Sequence, residues 1–425
     1  MSLRRTIRSV FFWIHLGIGL SAGLLILLMS VTGVMLGFER QMIAWIDGAP
    51  RVAPAAMDRL PLDSLLLRVG VEREVVASIV VKADATQPTT LRLRERDAAP
   101  MLVDPFRGEV LQASGDGSGQ AFFSALRRWH RWIGAQGAEL RAQMKVVNGV
   151  ANLVFLALVL SGLYLWWPAR WTPARLRATA VPQWHRAGKV RDFNWHNALG
   201  FWFAVPLALI VATAAFISFR WPGQYLDLAL GSAQEKAAAR AALQAPTPGP
   251  TPTSTATAAA PATQEPEAPR PPALRDDDAT LQSYATSAKA AHPKWAQLTL
   301  TLPDSPKAAM RVAVAEGNTY RPDQRWTLEL DRASAGVVSA AGYADLSAAR
   351  KIRAWVRFGH TGEVFGIPGQ ILATIASAVG VLLVWTGFAL AWRRLASWWR
   401  VRRRRSVPAV ATLPDATLEA PASLR

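Results

Sequence analysis

The chain has 425 residues, of which 51% are hydrophobic and only 18% charged, and this composition excludes both a disordered chain and an ordinary soluble enzyme. A formal net charge of +18 is typical of nucleic-acid-binding proteins, but here the basic residues lie beside long apolar runs and indicate a membrane protein instead. The chain contains no cysteine, which excludes disulfides, iron–sulfur clusters, thiolate metal sites and covalently attached c-type haem.

Four apolar runs are long enough to cross a bilayer, which requires about 20 residues. They predict transmembrane helices at 10–38, 146–167, 196–219 and 367–392, the first of them an uncleaved anchor. Arginines cluster before the first run, in the connection 168–195 and in the basic tail 393–425, and such positive charge marks the cytoplasmic side. We therefore expect both termini in the cytoplasm and the two long connections on the opposite side.

Each long connection contains a predicted small domain, at 55–115 and at 276–345. In both, a predicted helix is followed by predicted strands, such as "TTLRLRE" and "QLTLTL", in which apolar and polar residues alternate or β-branched residues are frequent. A D-x-x-x-G/A-x-V turn pattern closes each segment. The shared order predicts an internal repeat, and two unrelated α+β insertions are the alternative. The Pro/Ala/Thr-rich tract 241–275 is predicted to be a flexible linker.

Four histidines lie at the predicted membrane boundaries. The directions of the predicted spans put His15 and His196 near the inner face, and His130 and His360 near the outer face. Imidazole is a good axial ligand for haem iron at neutral pH, and an ionisable residue in a span indicates function. Two pairs at two depths predict two six-coordinate haems stacked across the membrane.

Glycines accompany the inner histidines. Gly19 follows His15, and Gly200 follows His196, by one helical turn, so each glycine shares a helix face with its histidine. A flat haem ring needs small residues where it passes, and these glycines are candidates for that contact. The alternative is a helix-packing face, and histidines at an interface can also pair with lipid headgroups.

The amphipathic stretch "AFFSALRRWHRWIG" precedes the second predicted span and predicts an interfacial helix at 121–134. It carries His130 together with Arg127 and Arg131. These guanidinium groups are candidates for binding haem propionates, although lipid phosphate would serve equally well as a partner.

The motifs "WHRWIG", "WHNALGFW", "GHTGEVFGIPGQ" and "VDPFRGEVL", in this order, resemble those of the PepSY-associated transmembrane helix family over nearly the whole chain. The resemblance implies an α-helical membrane protein of the bacterial inner membrane: a four-helix transmembrane bundle with two periplasmic α+β PepSY-like domains. Siderophore reductases of this family bind two haems. By resemblance, the axial pairs would be His15 with His196 and His130 with His360.

The expected function is that of a b-type di-haem protein that passes electrons from a cytoplasmic or quinol donor to a periplasmic ferric complex, with a ferric siderophore as the favoured acceptor. Both haems would be held non-covalently by two histidines each, and we assign no catalytic residue and no nucleic-acid partner. No G-x-G-x-x-G motif follows a strand, so the donor would be a separate partner. The alternatives are a membrane-anchored PepSY sensor or peptidase-inhibitor module, and an iron or haem transporter.

Overall fold

The structure is a computed structural model that describes residues 3–48, 50–52, 57–95, 100–111, 117–168, 171–244, 278–303 and 309–405. The helices are α1 (Leu3–Leu36), α2 (Glu39–Ile46), α3 (Leu62–Val69), α4 (Ser118–Trp132), α5 (Ala138–Trp166), α6 (Pro173–Ala180), α7 (Gly188–Ser218), α8 (Trp221–Leu230), α9 (Ala233–Gln244), α10 (Leu281–Ala291), α11 (Ala348–Thr361) and α12 (Gly366–Arg405). The strands are β1 (Val76–Lys82), β2 (Thr89–Leu93), β3 (Met101–Val103), β4 (Val110–Leu111), β5 (Trp295–Thr301), β6 (Met310–Glu316), β7 (Arg325–Leu330) and β8 (Val337–Gly342).

Four of these helices, α1, α5, α7 and α12, are long and apolar enough to cross a membrane, which confirms the four predicted spans. Inside the bundle, buried aliphatic and aromatic side chains such as Ile26, Phe155 and Leu207 pack together. Outward positions such as Leu24 and Val205 are 71% and 66% exposed. Apolar side chains on the outside as well as the inside are what a lipid environment requires.

The eight strands form one antiparallel sheet in the order β4-β3-β2-β1-β5-β6-β7-β8. The two predicted α+β domains are both present, and they join edge to edge because β1 pairs with β5, with Val80 opposite Thr299. Edge-to-edge pairing covers a strand edge that each small sheet would otherwise expose. Each unit runs helix, then four strands, and this common order supports the internal repeat over two unrelated insertions.

The two units also share one hydrophobic core, to which α3 and α10 contribute Leu65 and Tyr284. The carboxylate of Asp63 on α3 accepts hydrogen bonds from the backbone N–H groups of Leu281 and Gln282, both 3.1 Å, at the start of α10. A carboxylate at a helix N-terminus satisfies free N–H donors and complements the helix dipole. The two halves of the chain are therefore tied together at the sheet as well as in the bundle.

The boundaries differ from the predicted ones chiefly where polar residues continue a helix. The interfacial helix is α4 and begins at Ser118, and α7 begins at Gly188, inside the predicted cytoplasmic loop, which also contains α6. Three helices of the second long connection, α8, α9 and α11, have no counterpart in the sequence-based prediction. Of the predicted linker, residues 241–244 belong to α9, and the remainder lies outside the described residues.

Candidate functional site

The first pair of histidines lies inside the bundle, far from the sheet. His15 on α1 and His196 on α7 are neighbours, with ring centroids 6.3 Å apart and ring planes at 90°. Each ring forms a hydrogen bond with a hydroxyl of a neighbouring span. His15 Nδ1 lies 2.9 Å from Ser161 Oγ on α5, and His196 Nδ1 lies 3.0 Å from Thr386 Oγ1 on α12. We call His15 and His196 the sheet-distal pair.

The second pair lies between the sheet and the spans. His130 on α4 and His360 on α11 have ring centroids 6.5 Å apart and planes at 55°. His130 Nδ1 lies 2.8 Å from Thr32 Oγ1 on α1, and His360 Nδ1 lies 3.1 Å from Thr213 Oγ1 on α7. We call His130 and His360 the sheet-proximal pair.

Local chain reversals place the sheet-proximal histidines at the ends of their helices. α4 and α11 end within two residues of these histidines, and Gly134 and Gly362 then adopt positive φ angles of 78° and 74°. Such left-handed residues terminate helices, and glycine adopts them without strain. A side chain at Gly362 would also collide with the backbone of Gly369, so this turn requires glycine.

The hydrogen bonds define which imidazole nitrogen carries the proton. The hydroxyl groups of Thr32 and Thr386 lie 2.7 Å from carbonyl oxygens of their own helices and donate to them, so each hydroxyl accepts from its histidine. His360 Nδ1 also lies 2.9 Å from the carbonyl oxygen of Ile210, which can only accept. On His130, His196 and His360 the proton therefore resides on Nδ1, and Nε2 is the nitrogen that carries the lone pair.

The sheet-proximal histidines are held in their neutral form. Burial, followed by the proximity of His360, lowers the pKa of His130 to about 4, and burial also lowers the pKa of His360. At neutral pH both rings are therefore uncharged. A neutral imidazole with a free Nε2 lone pair is the form that coordinates a metal.

The separation of the rings fits a shared metal centre. Two imidazoles that bind one ion from opposite sides would have ring centroids roughly 6 Å apart, since each metal–nitrogen bond is about 2 Å and each ring contributes about 1 Å. The observed 6.3 and 6.5 Å match this spacing. Within the described residues no three His, Cys, Asp or Glu side chains are grouped as a metal site. Two imidazoles are the ligand set that a group with its own equatorial ligands, such as haem, would use.

Glycines leave room beside three of the four rings. A Cβ atom at Gly162 would lie 3.4 Å from His15 Cε1, one at Gly387 would lie 3.6 Å from His196 Cε1, and one at Gly33 would lie 3.7 Å from His130 Cε1. Each glycine directly follows the hydroxyl residue that bonds the same histidine. Sequence analysis missed these hydroxyl–glycine dipeptides, although "TG", "SG" and "TG" recur in three of the four apolar runs.

Residues 12–394 match the family model of the PepSY-associated TM region. The chain belongs to this family. The match covers nearly the whole chain and confirms the resemblance that the histidine motifs indicated. No curated protein matches the chain.

In this PepSY-associated protein, the other four predicted site residues have different neighbours. Hypothetical Cβ atoms at Gly19 and Gly200 would meet Leu158 and Leu383 of neighbouring spans, at 3.8 and 3.7 Å. Arg127 forms an ion pair with Glu39 at the start of α2. Arg131 directly follows His130, and its charge acts on both sheet-proximal histidines. The proposed contacts of these four residues with haem remain predictions.

The site predicted from the sequence also lacked one buried carboxylate near the sheet-distal pair. Asp192 is fully buried and lies one helical turn before His196 on α7. It forms ion pairs of 3.0 Å with Arg191 and 2.8 Å with Arg393 on α12. A buried carboxylate is stable only when it is paired, so this trio fixes α7 against α12, the two helices that supply His196 and its hydroxyl partner.

Proposed function

We propose that the protein binds two b-type haems non-covalently, one between His15 and His196 and the other between His130 and His360, and passes electrons across the membrane to a ferric complex. The observation that carries this proposal is the pairing itself. Two sets of neighbouring imidazoles, with ring centroids 6.3 and 6.5 Å apart, each have Nδ1 within hydrogen-bond distance of a hydroxyl, which leaves Nε2 as the nitrogen for a metal. Haem held by two histidines supplies reversible one-electron transfer.

The residues of the chain serve this function by positioning. Four hydroxyls, those of Ser161, Thr386, Thr32 and Thr213, orient the four rings from neighbouring spans. Because each hydroxyl belongs to a different helix from its histidine, every site is fixed by several helices rather than one. Preorganised ligands of this kind limit the rearrangement that accompanies a change of charge.

We further propose that the protein lies in a bacterial inner membrane, with both termini in the cytoplasm and the sheet in the periplasm. The support is the basic tail, where Arg393, Arg394 and Arg400 continue α12 beyond its apolar part. Electrons from a cytoplasmic or quinol donor would then enter at the sheet-distal pair and leave at the sheet-proximal pair. A ferric siderophore is the favoured acceptor, because hard oxygen ligands bind ferrous iron more weakly than ferric iron.

The test uses the purified protein in detergent, reduced with dithionite under anaerobic conditions and mixed with a ferric siderophore. We expect reoxidation of the b-type absorbance bands together with appearance of ferrous iron, trapped by a ferrous chelator. His360→Ala should abolish fast reoxidation. His185→Ala changes an exposed histidine in the connection between the second and third spans, and it should leave fast reoxidation intact. If His360→Ala and the unaltered protein carry haem and react alike, the proposal is wrong, and a sensor, inhibitor or transporter function takes its place.

A further inference from the structure

Four arginines from four different elements lie near one another, because Arg40, Arg131 and Arg325 are each within electrostatic reach of Arg357. They come from α2, α4, β7 and α11, and we name them the arginine cluster: Arg40, Arg131, Arg325 and Arg357.

The cluster is organised around two aromatic rings. The Tyr320 and Phe358 rings lie 5.8 Å apart and connect the β6–β7 turn of the sheet to α11. The Arg40 guanidinium lies 3.9 Å from the centre of the Tyr320 ring. Those of Arg325 and Arg357 lie 5.2 and 5.7 Å from the centre of the Phe358 ring. Cation–π contacts hold guanidinium groups in place while leaving their N–H donors free for other partners.

The positive charges of the cluster are only partly compensated. Arg40 forms an ion pair with Glu363. Among the described residues, Arg131, Arg325 and Arg357 form no ion pair, and the nearby Asp323 is already paired with Arg321. Burial, and then the charge of Arg357, lower the pKa of Arg325. Positive charges held close together repel one another, and a bound anion would relieve this repulsion.

The location of the cluster favours a dissolved ligand over a lipid headgroup. Arg325 belongs to β7 and Tyr320 to the turn before it, whereas Arg357 belongs to α11, so the guanidinium groups lie where the sheet contacts α11. Part of each of the four side chains is exposed to solvent. Arg357 also lies one helical turn before His360, which brings the cluster next to the sheet-proximal pair.

We propose that the arginine cluster is the binding site for the acceptor, and that it selects ferric complexes whose outer surface carries negatively charged oxygens over neutral or cationic ones. The inference rests on the proposed function, since it supplies the substrate class of the same electron-transfer site. Planar guanidinium groups bind carboxylate and similar oxyanions through paired, charge-assisted hydrogen bonds. The aromatic pair offers an additional flat surface for the ligand.

The experiment measures binding apart from reduction by using gallium(III), which takes the place of ferric iron but is not reduced. Haem-loaded protein in lipid nanodiscs is titrated with gallium(III) citrate, an anionic complex, and with the gallium(III) complex of deferoxamine, a cationic one. We expect tighter binding of the citrate complex, weakening as the salt concentration rises. Arg325→Gln and Arg357→Gln should each weaken citrate binding by about tenfold. Arg357→Lys, which keeps the charge, should lose less.

The matched control is Arg311→Gln, because Arg311 is an exposed arginine of the same sheet that pairs with Glu329 outside the cluster. It should bind gallium citrate like the unaltered protein. Equal binding of the two complexes, or unchanged citrate binding in both cluster variants, would overturn the inference. Loss of haem from the cluster variants would also overturn it, by assigning these arginines to haem carboxylates. The haem content and spectrum of each sample report separately on the proposed function.

Discussion

The two histidine pairs share nearly the same ring separation but are built on different supports. The sheet-distal pair stands on two spans, α1 and α7, whereas the sheet-proximal pair stands on two helices, α4 and α11, that precede spans. A buried carboxylate and its arginines support the distal side, and the arginine cluster, in which Arg40 is paired with Glu363, adjoins the proximal side. Nearly the same ring separation is thus built in two different surroundings, and under the proposed function the distal pair would be an internal relay and the proximal pair the exit toward the acceptor.

The comparison can be broken most directly by removing one pair at a time. His196→Ala and His360→Ala should each eliminate one of two one-electron transitions in a potentiometric titration, because each substitution removes a ligand from one pair only. The haem content should fall by about half in both variants. His185→Ala serves as the control. If either substitution removed both transitions, the two pairs would not be independent sites.

Removing an ion pair that fixes the helices of one histidine pair should weaken haem binding at that pair more than at the other. Asp192→Asn leaves Arg191 and Arg393 without a carboxylate, and we expect a loss of about 1–3 kcal/mol in stability, since both arginines are partly exposed to solvent. The sheet-distal haem should dissociate first on heating. Asp227→Asn breaks the ion pair with Arg353 that fixes α8 to α11, and it should release the sheet-proximal haem first. The same order of release in both variants would contradict local bracing.

The hydroxyl partners should differ in importance between the pairs. Ser161→Ala removes the hydroxyl that bonds His15 Nδ1, and we expect about tenfold weaker haem retention at the sheet-distal pair. Thr213→Val should have a smaller effect, because His360 Nδ1 keeps its hydrogen bond to the carbonyl of Ile210. Competition with apomyoglobin measures retention at each site, and Thr213→Ser is the control that keeps the hydroxyl. Equal losses for Ser161→Ala and Thr213→Val would show that the carbonyl bond contributes little.

The smallest effect is expected from added methyl groups. A Cβ atom at Gly162 would lie 3.4 Å from His15 Cε1, which is a tight contact, whereas one at Gly19 would lie 3.8 Å from Leu158. Gly162→Ala should therefore shift the absorbance of the sheet-distal haem and lower its occupancy more than Gly19→Ala. A larger effect at Gly19 would favour the ring contact that its spacing from His15 predicts.

The sequence predicted the spans and the histidine pairs well, because both depend on strong local signals. Apolar runs of about 20 residues define spans, and alternating span directions sort His15 with His196 and His130 with His360. The chain path alone therefore placed the four histidines at two depths.

The contacts between helices could not be read from the sequence. The hydroxyl of Thr32 is an ordinary polar residue of a span until α4 packs against it, and Arg357 and Arg325 are far apart along the chain until the sheet folds over α11. The joining of the two small sheets through β1 and β5 was hidden for the same reason. Each of these features depends on tertiary packing, which residue spacing does not encode.

The most direct test of the account is an oxidised-minus-reduced absorbance spectrum of the detergent-purified protein, with haem quantified per chain. The account predicts sharp low-spin b-type bands and two haems per chain, falling to one in His15→Ala and in His360→Ala. Absence of haem after expression with ample haem supply, or full retention in both variants, would contradict it.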